Sequence, residues 1–203
     1  MYLIYTNMPN RPTSKKEKLA WEFAENAHKD QVRKFINKPY FDAHVQMVNG
    51  IVKRYTRNIN IICASLLHDV LEDCYEDPEV GYEEIKSIFG KVIADLVVEV
   101  TSVGDEIDHD YDGSKTNYLI DKMTLMTDDA LIIKLADRLQ NISDAFTASP
   151  RFRNKYFQET VAIIADLEKN RPMNHIHKQI INEMNAKLDN IGTFFKIKRF
   201  KDI

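Results

Sequence analysis

The apolar stretch from residue 59 to residue 73, INIICASLLHDVLED, most restricts what this chain can fold into. Cys63, Ala64, Leu66, Leu67, Val70 and Leu71 follow one another as in a helix buried on most of its faces. Into that run the sequence sets His68 beside Asp69, then Glu72 beside Asp73. A carboxylate rarely enters a core unless it is paired or binds a metal. The chain must therefore surround this segment and also supply partners for its acids.

The rest of the sequence is helical in period. SKKEKLAWEFAENAHK opens with Ser14 and Glu17 at the spacing of a capping box, and Ala20, Phe23, Ala24 and Ala27 then recur at helix spacing. Helices are expected over about 43–57, 59–73, 82–89, 115–127, 129–147, 152–168 and 174–190. Val92, Ile93, Leu96, Val97 and Val100 mark a further one. RKFINKPYFD reads as a loop, EDPEVG as a turn and SVGDEIDHDYDGSK as an acidic loop. No segment alternates as a strand should, so the expected class is all-α, a bundle of roughly eight to ten helices. With 203 residues the chain suits one domain, residues 1–203, with a core over about 14–147 and C-terminal helices over about 151–190 packed on it.

Composition narrows the function. A formal net charge of −3 offers no basic field for nucleic acid. No apolar run approaches the ~20 residues of a membrane span, and MYLIYTNMPNRPTSKK lacks the basic start and long apolar centre of a secretory signal. Cys63 and Cys74 show no CxxC spacing, which suits a reducing cytoplasm.

Three segments carry candidate chemistry. Glu72 lies four residues after His68, and Asp73 four after Asp69, so the two pairs occupy neighbouring positions one helical turn apart. That suits a metal at one level with acid–base groups at the next, though a solvated helix end would also explain Glu72 and Asp73. In IIKLADRLQN, Asp137 and Asn141 are one turn apart beside the stripe Leu131, Leu135, Leu139, Ile142 and Phe146. Spacing alone leaves Asp137 evenly divided between a ligand and a surface pair with Arg138. In PYFDAHVQMV, His44 stands at an expected helix start, where a lone histidine is more often a cap or a surface residue. Imidazoles with carboxylates suit Mn, Fe, Zn or Co better than Ca.

Taken together, AHKDQVRKFINKPYFDAH, LLHDVLED, FGKVIADLVVEVT, DKM and IKLADRLQN resemble, in order, the HD-domain phosphohydrolases. They match most closely the alarmone hydrolases of the Rel/Spo family, over roughly residues 17 to 147. The resemblance implies that His44, His68, Asp69 and Asp137 ligate one metal, usually Mn²⁺ in that branch. It implies that Glu72 and Asp73 orient the attacking water and handle its proton. Arg33 and Lys34 would pack on or beside a guanine base, Asn141 would contact sugar or phosphates, and Lys122 would reach a phosphate. The implied reaction removes the 3′-pyrophosphate of ppGpp or pppGpp, giving GDP or GTP.

Two departures stand out. Phe41, Asp42 and Ala43 separate Tyr40 from His44, where that family usually has two residues. The segment between Lys34 and Pro39 is one residue longer than usual and lacks the common glycine. Gln140 also replaces a common histidine. The length is too short for the synthetase and regulatory domains of long family members, so a stand-alone hydrolase is expected. The altered segment motivates an alternative, an HD phosphohydrolase acting on another phosphorylated nucleotide or dinucleotide; a nucleotide-sensing protein without turnover ranks last.

Other signals point to structure. DHDYDG begins like an EF-hand loop, but its twelfth position is Leu119. His175 and His177 are expected on the surface, His28 in a structural hydrogen bond, and Trp21 in the packing.

Overall fold

A computed structural model describes residues 11–34, 36–102, 110 and 114–195. Most of the acidic loop, including nearly all of DHDYDG, lies outside the described residues, as does the basic tail after residue 195. The described elements are α1 (Lys15–Ala27), a π-helical turn (Phe41–Val45), α2 (Gln46–Tyr55), α3 (Ile59–Leu67), α4 (Val70–Asp73), α5 (Pro78–Phe89), α6 (Lys91–Val100), α7 (Lys115–Leu125), α8 (Asp128–Ala145), α9 (Pro150–Asn170) and α10 (His175–Phe195). The class is all-α; among the described residues the only β-type pairing is an isolated bridge, Val32 with Pro39.

Several helices start on a local cap. The Ser14 hydroxyl accepts the Glu17 amide. Glu17 is itself fully buried, where it accepts from the Thr13 amide at 2.6 Å and from Lys53 Nζ at 2.6 Å. Asp77, Ser114, Thr127 and Ser149 cap α5, α7, α8 and α9 in the same manner. The sequence places a turn at EDPEVG, but the Asp77 cap and Pro78 at the first helical position start α5 four residues earlier than expected. Gly81 suits that start: a Cβ there would stand 2.6 Å from Leu71 and 2.8 Å from Tyr75.

The core forms around α3, which α1, α2, α6 and α8 enclose. Every residue from Ile61 to Leu67 is buried. Fully burying a leucine such as Leu66 or Leu67 stabilises the fold by about 1.5–3 kcal/mol. Trp21 packs edge-on against Phe41, 5.0 Å between ring centres. The C-terminal helices join this core. Ile163, Ile164 and Leu167 of α9, and Ile180, Ile181 and Met184 of α10, belong to the same buried cluster. Arg171, between them, donates to the carbonyls of Met123 and Met126, closing the C-terminal end of α7.

Candidate metal centre

Neighbouring residues on a regular helix diverge by about 100°, so a His–Asp doublet would aim its side chains apart. The structure resolves this by breaking the expected 59–73 helix at the doublet. Asp69 takes φ −100° and ψ −2°, separating α3 from α4. Both side chains then turn to one point, with His68 Nε2 3.1 Å from Asp69 Oδ2.

Two more donors arrive from elsewhere in the fold. His44, on the π-helical turn, brings Nε2 to 3.3 Å from His68 Nε2, from Asp69 Oδ2 and from Asp137 Oδ1 of α8. His68 Nε2 and Asp137 Oδ1 are 4.0 Å apart. Both histidines are almost fully buried. His68 Nδ1 lies 3.0 Å from the Ser65 carbonyl, which only accepts, so Nδ1 carries the proton and Nε2 presents a lone pair. That lone pair faces a carboxylate and a second imidazole, which is repulsive unless a cation joins them.

The donor set fits a divalent metal. For bonds of about 2.0–2.2 Å, donors at right angles stand ~3 Å apart and opposed donors ~4.2 Å. The separations that involve a histidine, 3.1 to 4.0 Å, span that range; His44, His68 and Asp69 form the tightest group, and Asp137 joins it through the two histidines. With a proton as the only counter-charge, burial lowers the His44 pKa, but hydrogen bonding to Asp137 and Asp69 outweighs it and raises it to about 9. Burial likewise opposes ionisation of Asp69, but with both imidazoles protonated the His68 charge and hydrogen bonds from both histidines would hold its carboxyl well below the usual range. The site is thus built to carry positive charge.

The acids that follow the doublet stand at the edge of the same cavity, a space of 170 Å³. Glu72 Oε2 accepts the Ser102 amide at 2.9 Å, which fixes that carboxylate against the end of α6. Desolvation, then the charges of Asp69 and Glu72, push the Asp73 pKa up to about 6. Opposite them stands Arg33. Its Nε donates to Asp144 Oδ2 at 2.9 Å and its Nη2 donates to Asn141 Oδ1. Asn141 Nδ2 donates to Asp137 Oδ1 at 2.6 Å, so Asn141 ties the arginine to the histidine cluster.

Several cavity residues escaped the sequence reading. Tyr40 donates its hydroxyl to Asp69 Oδ2 at 2.6 Å, and its ring lies beneath the Arg33 guanidinium, 5.3 Å away. Its position in the PYFDAH block was the available signal. Lys134 is buried, donating to the Val100 carbonyl at 3.0 Å and standing 3.9 Å from Asp137 Oδ2. Lys115, Tyr156 and Glu159 also line the cavity, the last two from α9. Nothing in the spacing of α9 marked these residues.

Of the residues named from sequence, the structure brings His44, His68, Asp69, Asp137, Glu72, Asp73, Arg33 and Asn141 to this cavity. Lys34 is exposed and Lys122 sits over the Tyr118 ring; neither forms the cavity wall. Arg138 is no surface partner of Asp137. It is buried and donates to Thr160 Oγ1 and Glu159 Oε1, both at 2.9 Å. Phe146 is 42% exposed and leaves the apolar stripe. His175 is exposed as expected, but His177 is fully buried, because its Nε2 reaches the Asp128 carbonyl at 2.9 Å. His28 bonds Gln31 at 2.8 Å, and Cys63 and Cys74 are free thiols.

Comparison with known proteins agrees with this architecture. A family model described as HD domain matches residues 20–172. The chain belongs to the HD-domain family. A guanosine-3′,5′-bis(diphosphate) 3′-pyrophosphohydrolase from Aquifex aeolicus is 33% identical over 150 residues, covering 73% of this chain and 20% of that protein. One from Spiroplasma citri is 29% identical over 187 residues, 91% of this chain and 24% of that protein. The chain thus spans about a fifth to a quarter of the length of these relatives. A solved structure, a metazoan ortholog of SpoT described as hydrolysing ppGpp, shares the fold with a TM-score of 0.69 at 24% identity, covering 90% of this chain and 97% of that one. Among the described residues, no helix is long and apolar enough to cross a membrane.

Proposed function

We propose that this chain is a single HD-type domain that hydrolyses the 3′-pyrophosphate of ppGpp and pppGpp, yielding GDP or GTP and pyrophosphate. The observation that carries the reading is the arrangement of one cavity. Four donors converge at its base, two further carboxylates stand beside them, and an arginine seated on an aromatic ring faces them. The names of the Aquifex and Spiroplasma relatives support the same substrate.

In this reading His44, His68, Asp69 and Asp137 hold one divalent ion, Mn²⁺ by preference. When bound, the ion supplies Lewis acidity toward a phosphoryl oxygen and lowers the pKa of coordinated water. Glu72, fixed by the Ser102 amide, orients the attacking water. Asp73, with a pKa near the working range of a general base, takes its proton. The Arg33 guanidinium offers a flat cationic face to guanine, with the Tyr40 ring behind it. Asn141 contacts the sugar or phosphates. Lys115 and Lys134 are the lysines on the cavity wall and take the phosphate role expected of Lys122, while Lys34 stays at the outer edge of the base site. The substrate is a soluble nucleotide, consistent with a cytoplasmic enzyme.

The test is product analysis with purified protein, ppGpp and Mn²⁺, with and without chelator. Chelator-sensitive formation of GDP and pyrophosphate is expected. Orthophosphate release from a different nucleotide would replace this reading with that of a related phosphohydrolase whose base site was altered between Lys34 and His44. Tight ppGpp binding without turnover in saturating Mn²⁺ would make the protein a sensor.

A further inference from the structure

Arg33 lies on a loop and has two acidic attractors. One is the carboxylate cluster at the histidine end, which it approaches through Asn141. The other is Asp144, one turn beyond Asn141 on α8. A guanidinium on a flexible stem would be drawn toward the larger negative charge. It is instead held at its Nε by Asp144 Oδ2, at 2.9 Å.

Asp144 is itself fixed. Its residue is 8% exposed, and its other oxygen, Oδ1, accepts from Gln140 Nε2 at 3.1 Å. Gln140 also points Nε2 at the Ala43 carbonyl of the π-helical turn, 3.5 Å away. Two acceptors on one helix face, Asn141 and Asp144, thus grip the guanidinium by one edge. Nε and Nη2 are both spent on this grip, which sets the plane of the group. One face of that plane covers the Tyr40 ring at 5.3 Å.

We propose that Asp144 is a positioning residue for substrate recognition: it holds Arg33 over Tyr40, as a platform for the base, and away from the carboxylates of the hydrolytic centre. The inference rests on the ppGpp reading above and adds the device that sets its base site. Asp144 does not touch the reacting atoms; it acts through Arg33. The platform is therefore part of the folded protein and is not assembled by the substrate.

Three variants test this with ppGpp in saturating Mn²⁺: Asp144→Asn, Asp144→Glu, and Asp144→Asn in an Arg33→Ala background. Asp144→Asn keeps an acceptor for Gln140 but loses the charge on Arg33. Its KM is expected to rise about tenfold with kcat within about twofold, the signature of lost binding common to ground and transition states. Asp144→Glu should recover part of that loss. In the Arg33→Ala background the same substitution should change nothing further, because coupled residues are non-additive. An unchanged KM in Asp144→Asn would overturn the positioning role while leaving the hydrolase reading intact. So would a fall in kcat with a lowered Tm that persists without Arg33, which would make Asp144 structural only. If the wild-type protein neither turns over ppGpp nor binds GDP, the hydrolase reading fails and the inference with it.

Discussion

At the histidine end of the cavity, side chains from the break between α3 and α4, from α8 and from the π-helical turn gather around two buried histidines, each within 4.0 Å of both carboxylates. At the other end a single loop arginine is held by residues 108 and 111 positions away in sequence. The first end is rigid because its backbone is buried in helices. The second stands on a short loop closed by its own backbone hydrogen bonds, Arg33 to Lys38 and Tyr40 to Gln31, and its side chain is set by hydrogen bonds across the fold. A hydrolytic centre needs donor positions accurate to fractions of an ångström, which packed helices supply. A base platform tolerates more variation, so a loop can carry it.

Substitutions should separate the two ends. The largest effect is expected from Asp69→Ala, which removes a donor and leaves two imidazoles facing each other. Metal binding by titration calorimetry and turnover should both fall, the latter by ~10³ or more, as several kcal/mol of charge stabilisation disappear. Asp73→Asn should keep the metal affinity but lower kcat by roughly 10²–10⁴, the usual worth of a general base. If metal and rate fell together, Asp73 would belong with the donors instead. Tyr40→Phe removes the bond to Asp69 Oδ2 and should weaken metal affinity about 10- to 100-fold, the range for groups that orient a ligand. The smallest effect is expected from Arg33→Ala. Its KM should rise roughly three- to thirtyfold, matching a cation–aromatic contact of about 0.5–2 kcal/mol, with metal affinity unchanged. A loss of metal in Arg33→Ala would abolish the distinction between the two ends.

The sequence made the helices legible because they are long and strongly periodic, and their caps are local. It did not reveal the break at His68–Asp69, since nothing in LLHDVLED is a helix breaker; the turn is set by where the two side chains must point. Nor did spacing bring His44, Asp137 and the doublet together, which took the resemblance to name and the fold to assemble. Lone polar residues were the weakest part. His177 and Arg138 looked like surface groups because their partners, the Asp128 carbonyl and Glu159, come from other helices. The Arg33–Asp144 pair was invisible for the same reason. Asn37 is a milder case. Asn37 takes φ 52°, a left-handed conformation that asparagine adopts more readily than most residues.

The π-helical turn has a consequence for how this family can vary. One residue added to a regular α-helix rotates everything beyond it by about 100°. Here that would swing Val48 and Val52 of α2 out of the core and carry Asn49 away from Ser65. The π-helical turn holds one more residue than an α-turn would, with the Gln46 amide reaching back to the Phe41 carbonyl. Tyr40 and His44 both still meet Asp69, and α2 keeps its phase. The turn acts as an expansion joint: a residue can be taken up there while His44 on one side and the core on the other remain in register.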